Sequence, residues 1–117
     1  MITLKTLPKA TARQVFDQCK KHLLKQMTKS RNTNYCLYRT FDKAGYVMKC
    51  AAGCFIAKAE YDPDIENKGW RLLTDRGIVP ETHHALIIAL QKIHDREKPS
   101  RWKGKLNALE KEYNYFK

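Results

Sequence analysis

The chain has 117 residues and a formal net charge of +11, with 43% hydrophobic and 30% charged residues. This length and composition are typical of one globular domain (residues 1–117) with a modest core, and they exclude a wholly disordered chain. The longest apolar run, residues 85–90, is far shorter than the roughly 20 residues of a membrane-spanning helix. We therefore expect no membrane association.

The N-terminus and the cysteines predict the compartment. Residues 1–5 are not followed by the apolar segment of a secretory leader. Four cysteines in a chain of this length are also too few for a disulfide scaffold. We expect a cytoplasmic protein with reduced thiols.

Positive charge is concentrated in the first third of the chain. Residues 1–35 carry eight Lys or Arg residues against Asp17 alone, whereas residues 61–96 carry five against six acidic residues. This asymmetry favours a polyanionic partner, although a soluble basic protein without a nucleic-acid role can have the same composition.

The first helix is predicted to follow a lead-in, residues 1–10, that can be flexible. Thr11 and Gln14 have the spacing of a capping box, and the apolar period extends the helix to about Thr28. The face expected to be buried carries Val15, Phe16, Cys19, Leu23 and Met27.

The opposite face of this helix carries Lys21, Lys25 and Lys29 at i, i+4 and i+8. Like charges at this spacing repel each other mildly. A row of this kind suits a phosphate backbone, and a solvated helix face explains it nearly as well.

Residues 35–56 carry the clearest strand pattern and three of the four cysteines. Residues 36–41 and 46–50 are predicted strands, joined by a turn at 42–45 in which Gly45 can take positive φ. The small residues at 51–53 predict a buried helical segment in which backbone packs closely on backbone.

The remaining chain is predicted to be helical after an acidic, irregular segment at 58–68. A short helix at 69–76 is expected to be anchored by Trp70, Leu72 and Leu73 and ended by Gly77. Pro80 is expected to open a helix that runs to about Arg96. Its inner face comprises His83, Leu86, Ile87, Leu90, Ile93 and His94.

Pro99 is expected to break that helix, and Ser100 to cap the last one. The last helix has an apolar stripe of Trp102, Leu106, Leu109, Tyr113 and Phe116. The stripe either docks on the core or forms a homodimer seam through the Trp102–Phe116 helix. The fold class is α+β: an N-terminal helix, a two-stranded antiparallel hairpin, then three to four helices in one small domain.

Two groups of potential metal ligands occur in the sequence, one of cysteines and one of acidic residues, and neither has the spacing of a known metal site. Cys36, Cys50 and Cys54, with His84 or His94, lack the two tight pairs of a structural zinc site. The acidic segment around Asp62 lacks the glycine and the final glutamate of a calcium loop. We predict no metal and no cofactor.

A nucleophile is the alternative interpretation of Cys50. It is predicted to lie where a strand meets a helix N-terminus, which lowers the pKa of a thiol. His94 is the candidate base. Asp95 is expected to be poorly placed to orient it, because adjacent helical residues point about 100° apart. Core packing is the simpler explanation for both residues.

Aromatic and basic residues also alternate along the predicted hairpin. Such a pattern can make a base-stacking surface, although half of the side chains must face the core. The residues concerned are Tyr35, Tyr38, Arg39, Phe41, Tyr46 and Lys49.

The chain resembles a family of small uncharacterised proteins encoded by tailed bacteriophages and some bacterial genomes. The similar segments follow the same order over most of the chain: Gln14-Val15-Phe16-Asp17, Cys36-Leu37-Tyr38-Arg39, Lys49-Cys50-Ala51-Ala52-Gly53-Cys54, and Gln91-Lys92-Ile93-His94-Asp95 followed by Trp102. The resemblance implies a phage-type protein in the host cytoplasm, and it implies no activity. Similar proteins tend to have Pro-Asp where this chain has Ala57-Lys58.

The leading functional prediction is a non-enzymatic phage accessory protein that binds DNA, RNA or a nucleoprotein host target. Its predicted contacts are Lys21, Lys25, Lys29, Arg31 and Arg39. One alternative is a protein-binding inhibitor of a host or defence factor. The other is a small thiol-dependent enzyme that uses Cys50 and His94.

Overall fold

The computed structural model describes residues 1–112 and confirms the predicted α+β class. Within these residues, four α-helices accompany one antiparallel hairpin. They are α1 (Ala12–Gln26), β1 (Thr40–Phe41), β2 (Val47–Met48), α2 (Trp70–Asp75), α3 (His84–Arg96) and α4 (Pro99–Glu112). Short 3₁₀ helices lie at Leu7–Lys9, Ala52–Phe55, Lys58–Glu60 and Pro63–Ile65. None of the helices formed by residues 1–112 is long and apolar enough to cross a bilayer.

Helix α1 begins as predicted and ends slightly early. The Thr11 hydroxyl accepts the Gln14 N–H, and the Gln14 side chain accepts the Thr11 N–H, which confirms the capping box. Met27 follows the helix in the left-handed conformation, with φ of 51°. That turn takes Met27 off the buried stripe, and it is 44% exposed. The prediction that Met27 lies in the core was therefore wrong.

The hairpin is present but shorter than predicted. Only Thr40 with Met48 and Phe41 with Val47 pair across it. The preceding N–H groups are taken by the Glu66 carboxylate, which accepts from Tyr38 (2.9 Å) and Arg39 (3.3 Å). Further pairing with β2 would need free N–H groups in this part of the chain, so β1 does not extend before Thr40.

Close backbone packing follows the hairpin, as the small residues predicted. A Cβ added at Gly53 would lie 2.1 Å from the Tyr38 carbonyl oxygen. The segment is a buried 3₁₀ turn, Ala52–Phe55, against which both α1 and α3 pack.

The C-terminal helices complete the core with some shifts from the prediction. Leu72 is exposed, and α3 begins at His84 because His83 takes a left-handed conformation with φ of 60°. Pro99 is the first residue of α4, so Ser100 lies inside that helix.

Helix α4 docks on the core through three of its apolar side chains. Trp102, Leu106 and Leu109 are buried, and α4 packs against both α1 and α3. Tyr113 and Phe116 lie outside the described residues. A homodimer through the predicted Trp102–Phe116 helix stays a prediction, although Trp102, Leu106 and Leu109 are already buried within the chain itself.

The lead-in is attached to the rest of the domain by hydrogen bonds. The Ile2 N–H donates to Gln18 Oε1 (2.7 Å), and the Leu4 and Lys5 N–H groups donate to the Glu60 carboxylate (both 3.0 Å). Leu7 is fully buried. These bonds hold the start of the chain against α1 and the 3₁₀ helix Lys58–Glu60.

Candidate nucleic-acid interface

Helix α1 holds the end of the hairpin through two polar side chains. The His22 ring Nε2 lies 2.8 Å from the Lys49 carbonyl oxygen, which can only accept, so His22 is the donor. Gln26 pairs with the same backbone twice: its Oε1 accepts the Lys49 N–H and its Nε2 donates to the Lys49 oxygen, both at 2.9 Å. The Lys49 backbone is thereby fixed beside the C-terminal half of α1.

A groove of about 610 Å³ lies between this half of α1 and the hairpin. Its lining includes Lys25, Arg39 and Lys49 on the basic side, with Tyr46 and Asp42 from the hairpin. A neighbouring hollow of about 600 Å³ shares Lys25 and Lys49 and adds Lys21 and Asp17. We call the surface formed by Lys21, Lys25, Arg39 and Lys49 the basic groove.

The four cations of the basic groove form no ion pair with any of residues 1–112. The nearby carboxylates bind other groups, and Glu66 accepts the backbone N–H groups of Tyr38 and Arg39 and the Tyr61 hydroxyl (2.7 Å). Asp17 lies 3.3 Å from Arg13, and Asp42 accepts the N–H groups of Ala44 and Tyr46 (both 2.9 Å). The positive charge of the groove is therefore uncompensated by direct pairing.

His22 adds no charge to this surface at neutral pH. Burial lowers its pKa below the ordinary value, and the hydrogen bond to the Lys49 backbone offsets that effect only in part. His22 is consequently a neutral donor that positions Lys49.

The structure separates the predicted contacts into two groups. Lys21, Lys25 and Arg39 lie in the basic groove, whereas Lys29 and Arg31 line another groove of about 250 Å³ that shares none of its lining residues. Lys29 Nζ donates to the Asp95 carbonyl oxygen (2.9 Å) and Arg31 Nε to that of Asn32 (3.2 Å).

Two features of the site were missing from the predicted contacts. Lys49 appeared only in the alternating aromatic and basic pattern of the hairpin. The stripe Gln18, His22 and Gln26 has i, i+4 and i+8 spacing beside the apolar stripe, and this spacing could have identified a helix face that binds backbone. Gln18 Nε2 donates to the carbonyl oxygens of Ile2 (2.9 Å) and Cys54 (3.1 Å).

Cys50 does not have the surroundings of a nucleophile. Its side chain is fully buried, and burial together with a hydrogen bond to Cys36 raises the pKa of the thiol well above its ordinary value. A protonated, inaccessible thiol cannot attack a substrate. The predicted lowering of this pKa was wrong: the Gly53 N–H, in the 3₁₀ turn that follows Cys50, donates to its sulfur (3.4 Å) and lowers the pKa, but burial outweighs that effect.

The cysteines lie in two pairs. Cys50 contacts Cys36, and Cys54 contacts Cys19, with burial again raising the pKa of the Cys54 thiol. The three thiols considered as zinc ligands are thus divided between the pairs. Among residues 1–112, no three His, Cys, Asp or Glu residues are arranged to hold a metal ion.

His94 is a buried structural residue in this arrangement. Its Nε2 accepts the Ser30 N–H (3.1 Å), so Nδ1 carries the proton and donates to Asp95 Oδ1 at 2.8 Å. Asp95 orients His94 after all, because the aspartate side chain reaches sideways to the ring of the adjacent residue. With both nitrogens engaged and the ring stacked 5.5 Å from Trp102, no free nitrogen is available as a base for Cys50.

Comparison of the chain with protein-family models, curated proteins and solved structures finds no match.

Proposed function

We propose that this protein is a non-enzymatic nucleic-acid-binding protein whose basic groove contacts a phosphate backbone. The observation that carries the proposal is the group of four cations, Lys21, Lys25, Arg39 and Lys49, without ion-pair partners among residues 1–112. Like charges held close together in a groove repel each other, and a bound polyanion relieves this repulsion. Binding is also favoured because it releases the counterions of the phosphates.

The proposal includes a phage accessory role in the host cytoplasm, which rests on the resemblance of the sequence to phage proteins. The target is free nucleic acid or a nucleoprotein of the host. A protein-binding inhibitor is the second candidate, because the hairpin exposes Phe41, Tyr46 and Val47. Capture of a host protein that persists after nuclease treatment would favour the inhibitor.

Salt dependence of binding tests the electrostatic part of the proposal. For four cationic contacts to a single strand, the slope of log K against log salt should be about −3. Lys25→Gln should reduce that slope by about 0.7, because one phosphate contact is lost. Fluorescence anisotropy of a labelled oligonucleotide between about 50 mM and about 200 mM salt measures both values.

Lys103→Gln is the matched control, since Lys103 is exposed on α4 and lies outside the lining of the groove. It removes the same charge and should leave the slope unchanged. Equal effects of the two substitutions would indicate a diffuse response to net charge and contradict the proposal, as would the absence of binding.

A further inference from the structure

Two large aromatic side chains of the hairpin are exposed to solvent. Tyr46 is 73% exposed and Phe41 is 60% exposed, whereas Tyr38, just before the hairpin, is buried and donates its hydroxyl to the Lys68 carbonyl oxygen. The two strands are only two residues long, and residues 42–45 lie beyond them in the turn. Phe41 and Tyr46 therefore lie next to the turn of the hairpin.

These rings are continuous with the basic groove. Tyr46 lines the groove together with Lys25, Arg39 and Lys49. The Arg39 guanidinium carbon lies 5.8 Å from the centre of the Phe41 ring, a cation–π distance. Tyr46 therefore lies in the basic groove itself, and Phe41 adjoins the groove through Arg39.

We propose that the basic groove binds single-stranded nucleic acid, with unpaired bases stacking on Tyr46 and Phe41 while the cations contact the phosphates. This inference rests on the proposed function and specifies its ligand. A duplex offers phosphates but keeps the faces of its bases inside the stack, so it cannot use the rings. A single strand presents both groups along one path, and stacking on aromatic side chains tolerates any base.

Acidic residues lie near this path, but the four cations of the basic groove outnumber them. Asp42 lines the groove, but its Oδ1 accepts two N–H groups of its own turn. Asp17 lies at the neighbouring hollow and pairs with Arg13. Lys49 Nζ donates to the Ile56 carbonyl oxygen (3.5 Å), and the phosphates would meet ammonium and guanidinium groups that form no ion pair within residues 1–112.

The test compares one mixed-sequence oligonucleotide as a single strand and as a duplex, each prepared as DNA and as RNA, at equal salt. The single strand should bind at least about tenfold more tightly than the duplex, because stacking is available to it alone. Tyr46→Ala should remove this preference, and Tyr46→Phe should retain it. Comparing the DNA oligonucleotides with the RNA oligonucleotides shows which of the two nucleic acids the protein binds more tightly.

Tyr35→Ala provides the matched control, because Tyr35 is an exposed aromatic residue that lines the other groove with Lys29 and Arg31. Its removal should leave the preference unchanged. The Tyr46 side chain is largely exposed, so its variants should fold, and circular dichroism checks this.

The outcomes separate this inference from the proposed function. Tyr46→Ala should retain the salt slope, because the cations remain in place. Equal binding of duplex and single strand, or an unaffected preference in Tyr46→Ala, overturns the single-strand inference while salt-dependent binding through Lys25 still supports the proposed function. Binding of neither form overturns both.

Discussion

Ser30, in the loop after α1, and His94, in α3, are fully buried. The Ser30 N–H donates to His94 Nε2, and the Ser30 hydroxyl donates to the carbonyl oxygens of Leu37 and Met48. Phe41 and Tyr46, on the hairpin, are exposed beside cations that form no ion pair in the part of the chain that the structure describes. Both regions carry polar and aromatic side chains, so composition does not distinguish them. The difference is that the polar groups of the first region bind one another inside the protein, whereas the charged and aromatic side chains of the second region are exposed to solvent. Residues of the second kind are the ones available to a ligand.

The largest expected effect comes from the close packing behind the hairpin. Gly53→Ala should lower the free energy of unfolding by more than about 2 kcal/mol, because the new methyl group would overlap the Tyr38 carbonyl. Urea denaturation followed by circular dichroism measures the change.

Gly104→Ala is the matched control, since nothing lies within 4 Å of the added methyl group in α4. It should raise the free energy of unfolding by about 0.5–1 kcal/mol, the helical advantage of alanine over glycine. A Gly53→Ala variant as stable as Gly104→Ala would mean that the hairpin and its supporting turn are not packed as described.

A smaller effect concerns the contact between α1 and the hairpin. Burial lowers the pKa of His22 in the folded chain, so the unfolded chain binds a proton at higher pH than the folded chain does. The stability present above the unfolded-state pKa of about 6.5 should be lost as pH falls towards the lower folded-state value. His22→Gln should reduce this loss, which denaturation at a series of pH values measures.

The control for this series is Lys103→Gln, which leaves every histidine in place. It should show the same loss of stability with acid as the unmodified chain. If His22→Gln also follows that curve, burial of His22 against Lys49 does not contribute to the acid sensitivity.

Local patterns predicted the helices better than the hairpin. The capping box of Thr11 and Gln14 and the apolar period of α1 depend on residues a few positions apart, and the structure confirms both. The strands were predicted too long because Glu66, 28 residues after Tyr38, binds the N–H groups that a ladder would use. No local pattern contains that information.

The candidate site was only partly predictable for the same reason. The i, i+4 spacing placed Lys21 and Lys25 on one helix face, but the left-handed Met27 ends the helix before Lys29. Lys49 enters the groove because His22 and Gln26 bind its backbone, which is a tertiary contact. The exposure of Tyr46 depends on how short the hairpin is.

Mapping of backbone amide chemical shifts during titration with a single-stranded oligonucleotide tests the claim that the basic groove binds a single strand. The shifted residues should cluster at 21–26 and 39–49, around the basic groove. Arg101, Lys103 and Lys105 are exposed on α4 and provide an internal comparison of equal charge type. Shifts concentrated on α4, or spread evenly over every exposed lysine and arginine, would contradict the claim.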